Sequence, residues 1–152
     1  MHLLIELVVA TGMVLLTVVI HGTGLMAMGR LLAAHDARQG EAPLNPLSLD
    51  GALVTLMLVL GLFVLHGVEI WSYALLFSMI EAVPDLREAV YFSTISYGAI
   101  GYGDALIAPE WKLLGAIEGI NGSILLGWSV AFFVTVMARV LQLRPSHGHH
   151  RR

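Results

Sequence analysis

The 152-residue chain is 57% hydrophobic and only 12% charged, with a formal net charge of −3 and no cysteine. That balance lies far outside a soluble globular domain, and the apolar segments leave no room for a sizeable water-soluble unit beside them. Disulfides, thiol nucleophiles and thiolate metal sites are excluded, and no basic stripe points to nucleic acid as a partner.

In chain order, Leu3 opens an apolar run to about Ala34, interrupted by Glu6, His21 and Arg30, and a first membrane-spanning helix is predicted over residues 1–34. The N-terminus has no positive n-region and no small-residue cleavage pattern, so this segment is expected to stay as a span rather than leave as a signal peptide. Residues 35–48 hold Asp36, Arg38, Gly40, Glu41, Pro43 and Pro46 and read as a polar loop. A second helix is predicted over 49–80. At about 1.5 Å per residue it exceeds a hydrocarbon core of about 30 Å and must tilt or project. Trp71 and Tyr73 fall towards its second end, where aromatic rings favour the headgroup region.

A polar connection with Pro84 follows. Asp85 is placed to cap a short helix over 86–97, with Glu88 at the capping-box spacing. Residues 105–110 return to the surface, and a third span is predicted over 112–141. The tail 142–152 is polar and basic, with His147, His149 and His150 clustered. Those histidines suit a transition metal or an anionic headgroup, but equally a solvated end or the remnant of an added tag.

Between the second and third spans lies Tyr91-Phe92-Ser93-Thr94-Ile95-Ser96-Tyr97-Gly98-Ala99-Ile100-Gly101-Tyr102-Gly103-Asp104. A half-span helix that ends in a glycine-rich turn between long apolar segments reads as a re-entrant loop. Irregular backbone at membrane depth is tolerated only where protein buries it or it lines a water-filled cavity. Gly101 and Gly103 alternate with Ile100 and Tyr102, and glycine enters left-handed conformations without a Cβ penalty. Successive carbonyls can then point towards one axis, where a ring of them replaces the hydration shell of a monovalent cation.

Ile100-Gly101-Tyr102-Gly103-Asp104 resembles the signature filter of the tetrameric potassium channels, whose usual form is Thr-Val-Gly-Tyr-Gly. Tyr91-Phe92-Ser93 is similar to that family's pore-helix lead-in. Trp111 stands seven residues after Asp104, where some bacterial two-transmembrane potassium channels also carry tryptophan. The resemblance covers roughly residues 49–140, with the first helix as an addition. It implies an all-α membrane protein in which three transmembrane helices, a pore helix and a selectivity filter assemble as a fourfold homotetramer. The pore domain is then 49–141, with outer helix 49–80, pore helix 86–97, filter 98–104 and inner helix 112–141.

By the same resemblance, K⁺ is the permeant ion, no cofactor is needed, and the partners are the bilayer, monovalent cations and identical subunits. Ala99, Ile100, Gly101, Tyr102 and Gly103 form the ion-binding filter, supported by Tyr91, Ser96 and Asp104, with a hydrogen bond expected between Tyr91 and Asp104. Asn121 is a candidate cavity residue, or else an interhelical hydrogen-bonding group. Gly122 and Gly127 are candidate gate hinges, or else close-packing positions. His21, His66, Glu69 and Glu118 are ionisable groups within apolar spans and so candidate pH sensors, with neutral hydrogen-bonded histidines as the alternative. The two carboxylates are placed to tie their helices together or to the back of the filter. The chain departs from the family pattern at Ala99, where the threonine is missing, and at Gly98 before it. Those departures favour, as alternatives, a weakly selective cation channel or a non-conducting subunit.

The family's topology puts the N-terminus and the pore loop outside, and residues 35–48 and the C-terminus inside, in a bacterial inner membrane. Arg30, Arg38, Arg139, Arg144, Arg151 and Arg152 then lie inside, and Arg87 and Lys112 outside, as the positive-inside rule requires. The first helix has no ladder of arginines, so it is not a voltage sensor of the usual kind, and it is expected to pack outside the second. Glu81, Asp85, Glu88, Asp104 and Glu110 collect at the outer mouth, as cation attractors or as ordinary solvated carboxylates. Gly101-Tyr102-Gly103-Asp104 also matches the Gly-x-Gly-Asp pattern of intramembrane aspartyl proteases. That chemistry needs a second facing carboxylate, and Asp36, Asp50 and Asp85 all fall in loops or at helix ends, so an enzyme is not expected.

Overall fold

The computed structural model describes residues 2–39, 49–101 and 103–142. Four α-helices account for nearly all of them: α1 (His2–Gln39), α2 (Leu49–Met79), α3 (Leu86–Tyr97) and α4 (Lys112–Gln142), with a 3₁₀ turn at Pro109–Trp111 leading into the last. No strand occurs among the described residues. Three helical stretches, His2–Arg38, Leu49–Met79 and Pro109–Ala138, are long and apolar enough to cross a membrane. The protein is an all-α integral membrane protein.

The first helix runs past its expected end. His35 to Gln39, read as the start of a loop, continue α1, because Ala33, Ala34 and Ala37 favour helix and the first breaker is Gly40. At 38 residues α1 is about 57 Å long, well beyond a hydrocarbon core of about 30 Å. The remainder of the predicted loop and the histidine tail lie outside the described residues.

Contacts fix the directions of the helices. A Cβ on Gly24 would meet the Leu65 side chain at 2.5 Å, and one on Gly61 would meet Met28 Sδ at 2.8 Å. These reciprocal notches bring α1 and α2 together antiparallel, as small residues do between membrane helices. Along α4 the contacts advance in step, from Glu6–Leu114 through Thr17–Asn121 to Ser129–His21, so α1 and α4 run parallel. α1 packs against both α2 and α4, whereas α2 and α4 touch each other little. This corrects the expectation that the first helix lies outside the second: its buried Ala10, Thr17, His21 and Leu25 face the seam between the other two. On the opposite side of that seam, α3 likewise packs against α2 and α4.

One apolar core gathers Ala10 and Met13 of α1, Tyr73, Ala74 and Phe77 of α2, Ala89, Phe92 and Tyr97 of α3, and Leu114 and Leu125 of α4. It lies towards the end of the bundle that carries the connection between α2 and α4. Tyr73 sits wholly inside it, and not at a headgroup interface as its position in the sequence suggested. Trp71, two residues earlier, is about half exposed.

Candidate functional site

The connection between α2 and α4 enters the bundle and leaves it at the same end. α2 stops in a Schellman turn: Ala82 N–H donates to Phe77 O at 2.9 Å, Glu81 N–H to Ser78 O at 3.4 Å, and Glu81 takes a left-handed φ of 54°. Asp85 then caps α3, accepting a hydrogen bond from Glu88 N at 2.9 Å. α3 descends antiparallel to α2. The Phe92 and Phe77 rings meet edge to face at 5.3 Å, Ser93 Oγ donates to Ile70 O at 2.9 Å, and the Tyr97 hydroxyl reaches His66 Nδ1 at 3.0 Å. Since α2 runs from Leu49 to Met79, α3 ends about half-way along it. The chain climbs back, and Ala108 N–H closes the excursion on Ala82 O at 2.8 Å.

α3 ends in a second Schellman turn. Ile100 N–H donates to Ile95 O at 3.0 Å and Ala99 N–H to Ser96 O at 3.0 Å, with Ala99 at φ 52°. Gly98 keeps right-handed geometry, and the left-handed position falls on an alanine. Ala99, Ile100 and Gly101 are all exposed, Ile100 at 75% of its surface. Among the described residues no backbone N–H donates to the carbonyls of these three, whereas Gly103 O accepts from Leu106 N at 3.1 Å. Tyr102 lies outside the described residues.

The proposed supports behave differently from one another. Asp104 pairs with Lys112 Nζ at 3.0 Å, and no hydrogen bond joins it to Tyr91, whose side chain is exposed; this corrects the expected Tyr91–Asp104 bond. The lysine that opens the following helix is the oppositely charged partner. Ser96 is buried and donates to Gly115 O at 2.7 Å, tying the pore-side end of α3 to α4. A Cβ on Gly122 would stand 2.2 Å from the Tyr97 carbonyl oxygen, so this glycine is a packing position; nothing lies within 4 Å of a Cβ on Gly127. Asn121 is buried and donates to Thr17 Oγ1 at 2.8 Å and to Tyr73 Oη at 3.2 Å. It is an interhelical joint of α1, α2 and α4 and does not face a cavity.

Behind the loop, three of the four candidate pH sensors come together. Glu69 Oε1 lies 2.9 Å from His21 Nδ1, and its Oε2 lies 3.1 Å from His66 Nδ1 and accepts the Tyr97 hydroxyl. The far nitrogens of both rings face one hydroxyl: Ser129 Oγ stands 2.9 Å from His66 Nε2 and 3.4 Å from His21 Nε2. The Trp128 ring covers His21 at 5.2 Å. Glu118 is separate, bonded to the Ser93 hydroxyl of α3. Both carboxylates therefore hold α3, Glu69 from α2 and Glu118 from α4. Sequence reasoning missed Tyr97, Ser129, Thr17 and Glu6. The signal was the spacing: His66, Glu69 and Tyr73 share one face of α2, and Glu6, Met13, Thr17 and His21 form one stripe on α1.

Three membrane-capable helices with a short helix and glycine-rich turn folded back between the last two define a multi-span membrane protein. Residues 52–139, more than half of the chain, match the family model described as ion channel (Ion_trans_2), a domain of the two-transmembrane potassium channel type. The chain belongs to that ion channel family. Neither the curated proteins nor the solved structures gave a match.

Proposed function

We propose that the protein is a K⁺-selective channel, a homotetramer in which four copies of the 98–104 turn surround one axis. The observation that carries this reading is the half-span excursion between α2 and α4, which ends in Gly101-Tyr102-Gly103-Asp104 with the carbonyls of Ala99, Ile100 and Gly101 on exposed backbone. One loop per chain cannot ring an ion, so closure requires identical neighbours. α4 offers them an exposed apolar stripe of Ile120, Ile124, Val130 and Val134. The C-terminal end of α3 brings the negative pole of its dipole to mid-depth, which favours a cation there. Glu81, Asp85, Asp104 and Glu110 are exposed around the loop, against Arg87 and the already paired Lys112. In this orientation the loop and the N-terminus face outward and Arg30, Arg38 and Arg139 inward, in a bacterial plasma membrane.

Ala99 favours a second reading, a weakly selective monovalent cation channel. It supplies no hydroxyl where the family has threonine, and its left-handed φ of 52° disfavours a β-branched side chain. The cavity-side ion site then lacks four hydroxyl ligands per tetramer. An aspartyl protease gains no support, since Asp104 faces Lys112 and Asp85 is a helix cap.

The test is cation flux from liposomes loaded with K⁺ and facing Na⁺ or choline, comparing the protein with Gly101→Ala. Flux that is K⁺-selective and lost in the variant supports the first reading. Equal Na⁺ flux supports the second, and absence of flux over a range of pH and voltage counts against both.

A further inference from the structure

The cluster of His21, His66 and Glu69 presents donor atoms of a kind and spacing that bind metal, at a place the pore-loop reading does not use. One donor atom from each of the three residues lies within 4.8 Å of the others, on two helices and largely buried. Tetrahedral bonds of about 2.0–2.1 Å put ligand atoms about 3.4 Å apart, and the contacts of Glu69 with the two Nδ1 atoms, 2.9 and 3.1 Å, are already near that.

A second observation is independent of that spacing. Both Nε2 atoms face the same Ser129 oxygen. A serine hydroxyl can accept from both rings, each then carrying its proton on Nε2, or it can donate to one ring and accept from the other. In the first arrangement both Nδ1 lone pairs point at the Glu69 carboxylate, with the Tyr97 hydroxyl oxygen 3.0 Å from that of His66, and a cation between them relieves electron pairs that otherwise face one another. Metal-binding histidines are held in this way, by an acceptor on the nitrogen away from the metal.

We infer that His21 Nδ1, His66 Nδ1 and the Glu69 carboxylate form a binding site for a divalent transition metal of the Zn²⁺ class, with Ser129 orienting both rings. Two imidazoles and one carboxylate suit Zn²⁺ over the hard, oxygen-seeking Mg²⁺ and Ca²⁺. Tyr97 is a positioning residue: its hydroxyl donates to Oε2 and holds the carboxylate with one oxygen towards each ring. His66 is the most accessible member, through an apolar cleft of about 260 Å³ lined by Val59, Leu62, Phe63, Leu126, Ser129 and Phe133 among others. A bound ion crosslinks α1 to α2 beside the last residue of the pore helix. The inference stands apart from K⁺ selectivity, because its readout is metal content and not flux.

The experiment uses the full chain in detergent with His147, His149 and His150 replaced by alanine, so that the tail cannot supply ligands. After chelator treatment, Zn²⁺ is titrated by calorimetry and Co²⁺ by its visible absorption. One ion per chain is expected, with the intense bands of low-coordinate Co²⁺ and a raised unfolding temperature that Mg²⁺ and Ca²⁺ do not reproduce. Glu69→Gln, which keeps the shape, and His21→Ala each weaken binding at least 100-fold, and Ser129→Ala weakens it about 10-fold. If the tail-substituted protein takes up no Zn²⁺, only protons occupy the cluster and the inference falls. It falls equally if Glu69→Gln and His21→Ala bind as tightly as the parent.

Discussion

Tyr97, the last residue of α3, donates its hydroxyl proton to the carboxylate of Glu69 on α2. The same carboxylate bonds His21 of α1, so a single side chain ties the start of the 98–101 turn to a helix that precedes the matched channel domain. Gly98 follows Tyr97 directly, and a shift of either long helix is passed to the turn through one hydrogen bond. The first helix is thereby part of what holds the turn after α3.

Tyr97→Phe removes that donor without changing the ring, and leaves an oxygen of a buried carboxylate short of a partner. Stability should fall by about 1–3 kcal/mol. Thermal unfolding in detergent, monitored by circular dichroism, measures it. If the end of α3 also sets the filter, ion discrimination falls in the same variant, and liposome flux reads that separately.

Ala99 holds a left-handed conformation that costs a non-glycine residue roughly 1–2 kcal/mol. Ala99→Gly should therefore stabilise the protein by about 1 kcal/mol, since no Cβ opposes the turn. Ala99→Thr restores the family's hydroxyl but puts a β-branched side chain at the same φ. It should lower the unfolding temperature even if it sharpens K⁺ over Na⁺ selection. A threonine variant as stable as the parent would mean that the turn takes another conformation in the assembled channel.

The main elements were legible because long apolar runs between polar punctuation admit few readings, and Asp85 with Glu88 marked the start of α3. The end of α1 was not, since His35, Asp36 and Arg38 look like a loop until the helix-favouring alanines around them are weighed. His21, His66, Glu69 and Glu118 stood out as ionisable groups in apolar segments, but apart from the His66–Glu69 pair their partners lie 25 or more residues away in the chain. Asp104 was paired with Tyr91, and Asn121 was left between a cavity role and an interhelical bond, for the same reason. A polar side chain bonds what the tertiary fold brings near, and although Thr17 shares a stripe with Glu6 and His21, nothing local pairs it with Asn121 or Lys112 with Asp104.

Gly122 and Gly127 share one helix and one expected role, and the packing separates them. Gly122→Ala drives a methyl into the Tyr97 carbonyl at 2.2 Å, against backbone that has no rotamer with which to yield. It should cost about 1–3 kcal/mol and displace α4 from α3. Gly127→Ala meets nothing within 4 Å and should gain up to about 1 kcal/mol from helix propensity. If Gly127 is the gate hinge, that stiffening reduces open probability in single-channel recordings while stability rises. Unchanged gating would remove it as a hinge.

Glu6 places a buried carboxylate at the start of α4, where its Oε1 accepts from Leu114 N at 2.9 Å. The first amides of a helix lack intrahelical partners and carry the positive end of its dipole, so a carboxylate there satisfies both. Here the cap comes from a residue more than a hundred positions away, on a helix that also holds Asn121 through Thr17. Glu6→Ala should destabilise by about 1–3 kcal/mol, because the Leu114 amide is left buried and unbonded. Glu6→Gln keeps an acceptor oxygen and loses only the charge, and should cost about half as much. Equal unfolding temperatures for both variants and the parent would show that water caps α4 instead, and that α1 is held by packing at Gly24 and Gly61 alone.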